Sequence, residues 1–400
     1  MYKQNKFLNR RNFIKTGING IMGTAFLQSA FKKLNIIVIQ KEEDNRKFIY
    51  RTLGKTGIKL PVVSMGSMVN PALVKAAFGM GVVHIDTSSA HARGKNERII
   101  GSIVKNMPRD SFIISTSTGV DIYKDRKTEL IREDANQGDI LKSFEGSLKR
   151  LGLEYVDIYY LAANWHRDSV LFNPFLKAVE RLKREGRIRF IGVTTHQNEP
   201  NVIKAAAESQ VYDVVATAYN FRQMHRQEVK EAIAYAADAG LGIVAFKTQA
   251  GVYWDKERKH MINMKAALKW VLQDTNVHTT VPAFNTFEEL EEGLSVMKNL
   301  KLTPEEESDL RIGERIGLPG LYCQQCKRCL DQCPYTLDIP TLMRSYMYAF
   351  GYQNMIKARE TLGPRLSANF PCKSCQLCKV NCSQRFDVKS RALEIMHILA

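Results

Sequence analysis

No cysteine occurs before position 323 of this 400-residue chain, and no acidic residue precedes Glu42. The first absence excludes disulfides as a means of holding most of the molecule together. The second leaves residues 1–33, with seven Lys/Arg, at a charge of +7 out of a formal +17. A chain processed after residue 33 would keep +10. The apolar N-terminal stretch, Gly17 to Phe31, is shorter than the roughly 20 residues of a comfortable membrane span. No G-x-G-x-x-G follows the first strand-like run, which argues against an open dinucleotide-binding sheet. No nucleic-acid module is recognisable either, so the positive charge needs another explanation.

The eight cysteines that do occur fall in two runs of identical spacing, C-x2-C-x2-C-x3-C: Cys323, Cys326, Cys329, Cys333 and Cys372, Cys375, Cys378, Cys382. Three thiolates at that spacing wrap one iron–sulfur cube, and the fourth leaves the wrap to ligate a partner cluster. The expectation is two [4Fe–4S] clusters. Cys323, Cys326 and Cys329 would share one with Cys382, and Cys372, Cys375 and Cys378 would share the other with Cys333. Structural zinc prefers paired C-x2-C knuckles with a longer spacer, and neighbours two residues apart rarely form disulfides. Pro334 follows the first run as the bacterial pattern has it, whereas Ser383 stands in that place after the second.

From Leu321 onward the charge is +6. Thiolate-bound cubes are anionic, so Lys327, Arg328, Lys373 and Lys379 read as their electrostatic partners. A basic docking face for an acidic redox partner protein is the second use of the same charge.

The N-terminus has the layout of a twin-arginine export signal: Asn9-Arg10-Arg11-Asn12-Phe13-Ile14-Lys15, then the apolar Gly17–Phe31 stretch. Residues 1–33 are expected to form that signal and 34–48 a linker. The twin-arginine translocase moves folded proteins, which suits a chain whose clusters are inserted in a reducing cytoplasm. The expected location is periplasmic or otherwise outside the cytoplasm. Gln28-Ser29-Ala30 is an imperfect cleavage site, so an uncleaved anchor stays open.

Between the two ends, short β-rich runs alternate with amphipathic helical stretches. The strand-like runs are Val62–Met68, Val82–Thr87, Phe112–Thr116, Val156–Leu161, Arg189–Thr194, Asp213–Ala218, Gly242–Lys247 and Thr279–Pro282. Each precedes a helical one: Pro71–Gly79, Asn96–Lys105, Asp139–Leu151, Asn173–Glu185, Glu199–Ser209, Gln227–Ala239, Met264–Asp274 and Phe287–Lys298. Eight such units in about 250 residues match a (β/α)8 TIM barrel, spanning 49–302. A mainly α-helical ferredoxin-like domain, 318–400, would follow. Barrel chemistry sits at the C-terminal strand ends. That rule points to Asp86, His91, Ser117, Ala162, Asn164, His166, Thr194, His196, Tyr219 and Lys247.

Arg51-Thr-Leu-Gly-Lys-Thr-Gly57, Gly81-Val-Val-His-Ile-Asp-Thr87, Ser147-Leu-Lys-Arg-Leu-Gly152, Tyr155-Val-Asp-Ile-Tyr159, Ile191-Gly-Val-Thr194 and Ala245-Phe-Lys247 resemble the aldo/keto reductase family, from about Tyr50 to Leu300. Barrel plus cysteine-rich tail resembles the subgroup with C-terminal [4Fe–4S] motifs. The resemblance implies hydride transfer from NADPH to a carbonyl, with a tyrosine acid supported by an aspartate, a lysine and a histidine. Of these only the aspartate is kept, as Asp86; His91 takes the tyrosine's place, Ser117 the lysine's and Ala162 the histidine's. Without a cation to lower it, a phenol does not donate a proton readily at neutral pH. Thr194, Thr195 and Tyr219 stand where the family grips nicotinamide, but Ala216 replaces its glutamine. The stretch Val281 to Glu288 holds no Arg or Lys for a 2′-phosphate, and Glu288 and Glu289 would repel one. This weighs against NADP(H), while leaving a place for a flat small-molecule ligand.

Asp86 and His91 stand near one strand end. Either the loop folds back to make a proton-moving carboxylate–imidazole pair, or Asp86 is structural and His91 solvated. His166 reads as a surface residue, and Lys247 as a cation able to face the pocket. Tyr253 and Trp254 line the mouth or pack on the tail. Between the cysteine runs, helices are expected over Thr341–Phe350 and Gln353–Thr361, with Tyr346, Tyr348, Phe350 and Tyr352 around the clusters. Two functions follow from different classes. One is an exported iron–sulfur oxidoreductase acting on a ligand in the barrel; the other is a non-catalytic electron-transfer or docking subunit.

Overall fold

The computed structural model describes residues 48–399, apart from 69, 120–130, 133, 165, 256, 318–322, 324–327, 353, 364–370 and 376–377. The segment expected to be an export signal and nearly all of the expected linker lie outside the described residues, as does Cys326.

The chain opens on an antiparallel hairpin, β1 (Tyr50–Thr52) and β2 (Lys59–Pro61). Its turn pushes Leu53, Ile58 and Leu60 into the barrel core beside Val214, Val244 and Phe246. Gly54 is required there. It has φ +49°, and a Cβ would come within 2.4 Å of the Gly242 backbone nitrogen.

Seven parallel strands follow: β3 (His84–Asp86), β4 (Ile113–Ser117), β5 (Val156–Asn164), β6 (Ile188–Thr195), β7 (Val214–Ala218), β8 (Gly242–Phe246) and β9 (Thr279–Thr280), each paired to the next. The segment after β2 closes the ring. Val63 bridges to Thr280 and Met65 to Ile85, with Ser64 N donating to Thr280 O at 2.8 Å and Met65 N to His84 O at 3.0 Å. These contacts make it the eighth stave of a (β/α)8 barrel, where the sequence places its first strand.

The outer helices are α1 (Pro71–Gly79), α2 (Lys95–Val104), α3 (Gln137–Leu151), α4 (Asn173–Arg184), α5 (Glu199–Ser209), α6 (Arg226–Asp238), α7 (Met264–Leu272) and α8 (Phe287–Ser295). Their ends follow local chemistry. Asn70 caps α1 with Pro71 in its first turn, Asn136 caps α3, and left-handed Gly152 ends α3. Past α8, α9 (Pro304–Leu310) starts on a Thr303–Glu306 capping box and is pinned to α7 by Lys269 Nζ, 2.9 Å from both Glu306 oxygens. The short α10 (Ile312–Ile316) follows.

The tail is helical, as its spacing predicts. It contains α11 (Ile339–Tyr346), a π-helical turn over Met347–Gly351, α12 (Met355–Leu362) and α13 (Val388–Leu399). Ile339, Leu342, Met343, Tyr346, Phe386 and Ile395 form its core, with Cys323, Cys329, Cys333, Cys372 and Cys382 packed against it. Helix α13 was not expected, although its signals are present in the sequence. Asp387 accepts from Ser390 N at 2.9 Å, and Val388, Ala392, Ile395 and Met396 recur at helical intervals and are buried.

Candidate functional site

Strand pleating decides which polar residues face the barrel axis. On β3 and β4 these are His84, Asp86, Ser115 and Ser117, all buried. Ser115 Oγ donates to Asp86 Oδ1 at 2.5 Å. Ser115 Oγ also lies 2.9 Å from His84 Nε2, and Ser64 Oγ lies 3.0 Å from His84 Nδ1. A chain of polar groups thus crosses the barrel interior and ends on a carboxyl. Burial, only partly offset by the Ser115 bond, pushes Asp86 up to about 7. Burial also holds His84 down to about 4, with Asp157 acting the other way.

Asp86 and His91 do not pair. The carboxyl is engaged by Ser115, and His91 begins a 3-10 turn, His91–Gly94, whose next two residues are left-handed, Ala92 at φ 48° and Arg93 at φ 52°. The His91 Nδ1 is buried without a hydrogen-bond partner. Burial, then the charges of Lys357 and Lys247, drives His91 down to about 3.

The positions around Asp86 have other uses. Ser117 Oγ donates to Ser88 Oγ at 2.8 Å, the Ala162 backbone N–H donates to Thr118 Oγ1 at 3.2 Å, and Asn164 accepts from Ser169 at 2.6 Å. His166 is exposed, as the surface reading has it. Tyr160 was missed by sequence reasoning. It points inward from β5 over Gly192, where a Cβ would come 2.2 Å from its ring. Burial and the charge of Asp86 hold its hydroxyl far above the ordinary phenol range.

The nicotinamide positions Thr194, Thr195 and Tyr219 lie at the C-terminal ends of β6 and β7. Thr195 Oγ1 donates to Gln197 O at 2.7 Å. Tyr219 is buried and packs its ring 5.1 Å from Trp270 of α7, in the helical layer. At the N-terminus of α8 the chain's own carboxylates satisfy the backbone: Glu289 Oε2 accepts from Asn285 N at 2.7 Å. Hydrogen bonds from its own backbone N–H, then from Thr286, lower Glu288. A 2′-phosphate placed there would meet like charge. The carboxylates at this helix end do not suit the 2′-phosphate of NADP(H).

A different cluster forms where the tail meets the barrel mouth. The exit of β8 is left-handed at Lys247 (φ 55°), Ala250 (φ 55°) and Gly251 (φ 114°), which turns Lys247 toward the tail. Lys247 Nζ donates to Tyr348 Oη at 2.6 Å and lies 4.6 Å from the centre of the same ring. Burial raises the Tyr348 phenol, but Lys247, Lys357 and Arg344 outweigh it and bring it to about 8. Tyr352 packs beside it, ring centres 5.9 Å apart, and accepts from the Gly251 backbone. His196, at the end of β6, is driven down to about 3 by burial and then by Lys247 and Arg344, and its Nδ1 also lacks a partner. Tyr253 packs on the tail core, while Trp254 sits 5.7 Å from Phe221.

The cysteines of the two runs approach each other. Burial, then neighbouring Cys333, Cys378 and Cys375, raise the Cys372 thiol to about 11. Cys333 of the first run therefore lies near Cys372 of the second. No disulfide joins the described cysteines. Among the described residues no three His, Cys, Asp or Glu side chains close on a single metal ion. A cluster spreads its thiolates over several irons, so the donor set suits a cube better than one ion.

A parallel barrel with a polar interior and a mouth roofed by a cysteine-rich helical domain defines a two-part redox protein class. The chain carries both parts. Residues 68–266 match the aldo/keto reductase family model, and residues 322–387 match the 4Fe-4S dicluster domain. It is similar to a probable aldo-keto reductase 1 of Glycine max, 26% identical over 44% of this chain and 48% of that protein. It is also 24% identical to an L-glyceraldehyde 3-phosphate reductase of Escherichia coli O157:H7, over 64% of this chain and 90% of that one. The chain spans about half the length of most of the curated relatives it matches. Among solved structures it resembles an aldo-keto reductase, AKR11C1 from Bacillus halodurans, with TM-score 0.54 and 20% identity, covering 66% of this chain and 95% of that one. That likeness supports the barrel fold.

Proposed function

We propose that this chain is an exported iron–sulfur oxidoreductase passing electrons between two [4Fe–4S] clusters in its tail and a small-molecule ligand at the barrel mouth. The observation that carries the reading is the Lys247–Tyr348 bond of 2.6 Å, which ties the cluster-bearing domain onto the face where barrels do chemistry. The clusters would supply one-electron transfer. Cys323, Cys326 and Cys329 with Cys382, and Cys372, Cys375 and Cys378 with Cys333, would hold them; the nearness of Cys333 to Cys372 supports this exchange of fourth ligands. The tail buries the cysteines against apolar side chains, Lys389 Nζ donates to the Cys375 carbonyl, and Arg391 lies near Cys382.

In the barrel, Asp86 holds a proton near neutrality, and His91 and His196 stay uncharged at the mouth. The family's tyrosine, lysine and histidine are replaced by His91, Ser117 and Ala162, and Glu288 and Glu289 stand where a 2′-phosphate would be held. Two-electron reduction of carbonyls by NADPH is therefore not the expected reaction. Anaerobically purified protein should bleach in the visible on reduction by dithionite and leave NADPH unoxidised in the presence of aldehydes. NADPH turnover at ordinary enzyme rates, abolished in His91→Ala, would overturn this reading.

A docking or electron-transfer subunit with a silent barrel is the second reading. It is favoured by Ser117, whose hydroxyl is already bonded to Ser88, and by Ala162, which brings no functional group. In both readings an external redox partner protein completes the circuit, and the twin-arginine translocase is met during export. A reporter fused to residues 1–40 should leave the cytoplasm only when the twin-arginine system works. A cytoplasmic reporter in a competent strain removes the location.

A further inference from the structure

The barrel and the tail together build a group of side chains that neither domain assembles alone. The barrel contributes His91, His196 and Lys247, and the tail contributes Arg344 of α11, Tyr348 of the π turn and Lys357 of α12. The charges that act on the two imidazoles are all cationic: Lys357 and Lys247 on His91, and Lys247, Arg344 and Lys357 on His196. The same three act on Tyr348. The neutralising contacts within the cluster are few. Lys357 Nζ lies 3.5 Å from Glu360, Arg344 donates to the uncharged Thr341 hydroxyl at 3.0 Å, and Lys247 donates to a phenol.

Two sealed imidazole nitrogens without partners beside three gathered cations are unfavourable on both counts. Buried polar groups are normally hydrogen-bonded, and like charges repel. One kind of ligand relieves both. An oxyanion supplies negative charge to the cations and acceptor oxygens to N–H groups at Nδ1 of His91 and His196. The π turn is consistent with a built site, since such turns cluster where function constrains a helix. The left-handed backbone at Lys247 fits the same pattern.

We infer that the junction of barrel and tail is an anion-binding site, in which Lys247, Arg344, Lys357 and Tyr348 hold the carboxylate or phosphate group of a small molecule against His91 and His196. This deepens the reading above by giving the barrel ligand a charge. It also gives the tail a second task, because two of the three cations that select the ligand belong to the cluster domain.

Calorimetric titration of the full, cluster-loaded chain with oxalate and, separately, with inorganic phosphate tests this. One saturable site should appear for at least one of them, and the preferred probe tells a carboxylate site from a phosphate site. Arg344→Gln and Lys357→Gln should each weaken binding by about tenfold or more, the loss expected for a charge-assisted hydrogen bond, with the visible cluster absorption unchanged. Should Arg344→Gln lose its clusters, Lys357→Gln alone decides. Binding of neither probe, or affinity unchanged in Lys357→Gln, overturns the inference. If an anion binds but the clusters exchange no electrons with any bound ligand, the proposed function fails and the site stands. If the clusters are redox-active and no anion binds, the site fails alone.

Discussion

Cys333→Ala combined with Cys372→Ala is expected to leave about four irons per chain, whereas Cys333→Ala combined with Cys323→Ala leaves close to none, as cross-ligation of two cubes requires. The contrast follows from which cysteines share a cluster. If Cys333 completes the set begun by Cys372, Cys375 and Cys378, removing both damages one cluster only, and the second substitution adds little to the first. Residues acting on one unit are non-additive in this way, and residues acting on separate units add. Cys333 already sits close enough to Cys372 for its charge to be felt there. If each run instead closed on its own cube, the pattern would reverse, with the Cys323 pair sparing one cluster and the Cys372 pair destroying both. Iron and sulfide analysis of anaerobically purified variants measures the outcome.

Asp86→Asn is expected to stabilise the protein at pH 8 and to do so by less than half as much at pH 5. The carboxyl's folded pKa, about 7, lies above the ordinary value of 3.8, so the folded state binds the proton more tightly than the unfolded chain. Stability from this group is full below the unfolded value and is lost as pH rises toward 7. A shift of that size corresponds to about 4 kcal/mol at most, since each unit is about 1.4 kcal/mol. Asparagine can still accept from Ser115 and carries no charge to bury, so it escapes the loss. His84 works in the opposite sense. Its pKa, depressed to about 4, makes the fold gain stability as pH rises from about 4 to 6.5. Thermal unfolding of the wild type and Asp86→Asn across pH 5 to 8 separates the two groups. A variant equally stable or weaker at pH 8 would show that the carboxyl is not buried as described.

Much of the fold was legible because barrel strands and helices carry strong local signals. Pro71–Gly79 and Glu199–Ser209 form helices at the bounds their caps and periodicity indicate. The first strand was legible even though it enters the barrel only through bridges at Val63 and Met65. The site was less so. Thr194, Thr195 and Tyr219 were grouped by their places in a family pattern, and nothing local in the sequence shows that Thr195 Oγ1 is spent on the Gln197 carbonyl. Asp86 and His91 are close in sequence, but Asp86 is bonded to Ser115 and His91 Nδ1 is buried without a hydrogen-bond partner. The tail tyrosines carried a readable signal. Tyr346 and Phe350, four residues apart, stack 4.4 Å apart, Tyr346 within the tail core, while Tyr348 and Tyr352 share the opposite face and meet Lys247. What no local pattern could supply is the docking of that face on the barrel mouth. It brings together residues about 100 positions apart and depends on packing between domains.

EPR of the anaerobically purified, dithionite-reduced chain, with iron and sulfide measured on the same sample, bears most directly on the account. Two neighbouring [4Fe–4S] clusters predict about eight irons per chain and a spin-coupled signal. A stoichiometric zinc content with no visible absorption and no signal would contradict it.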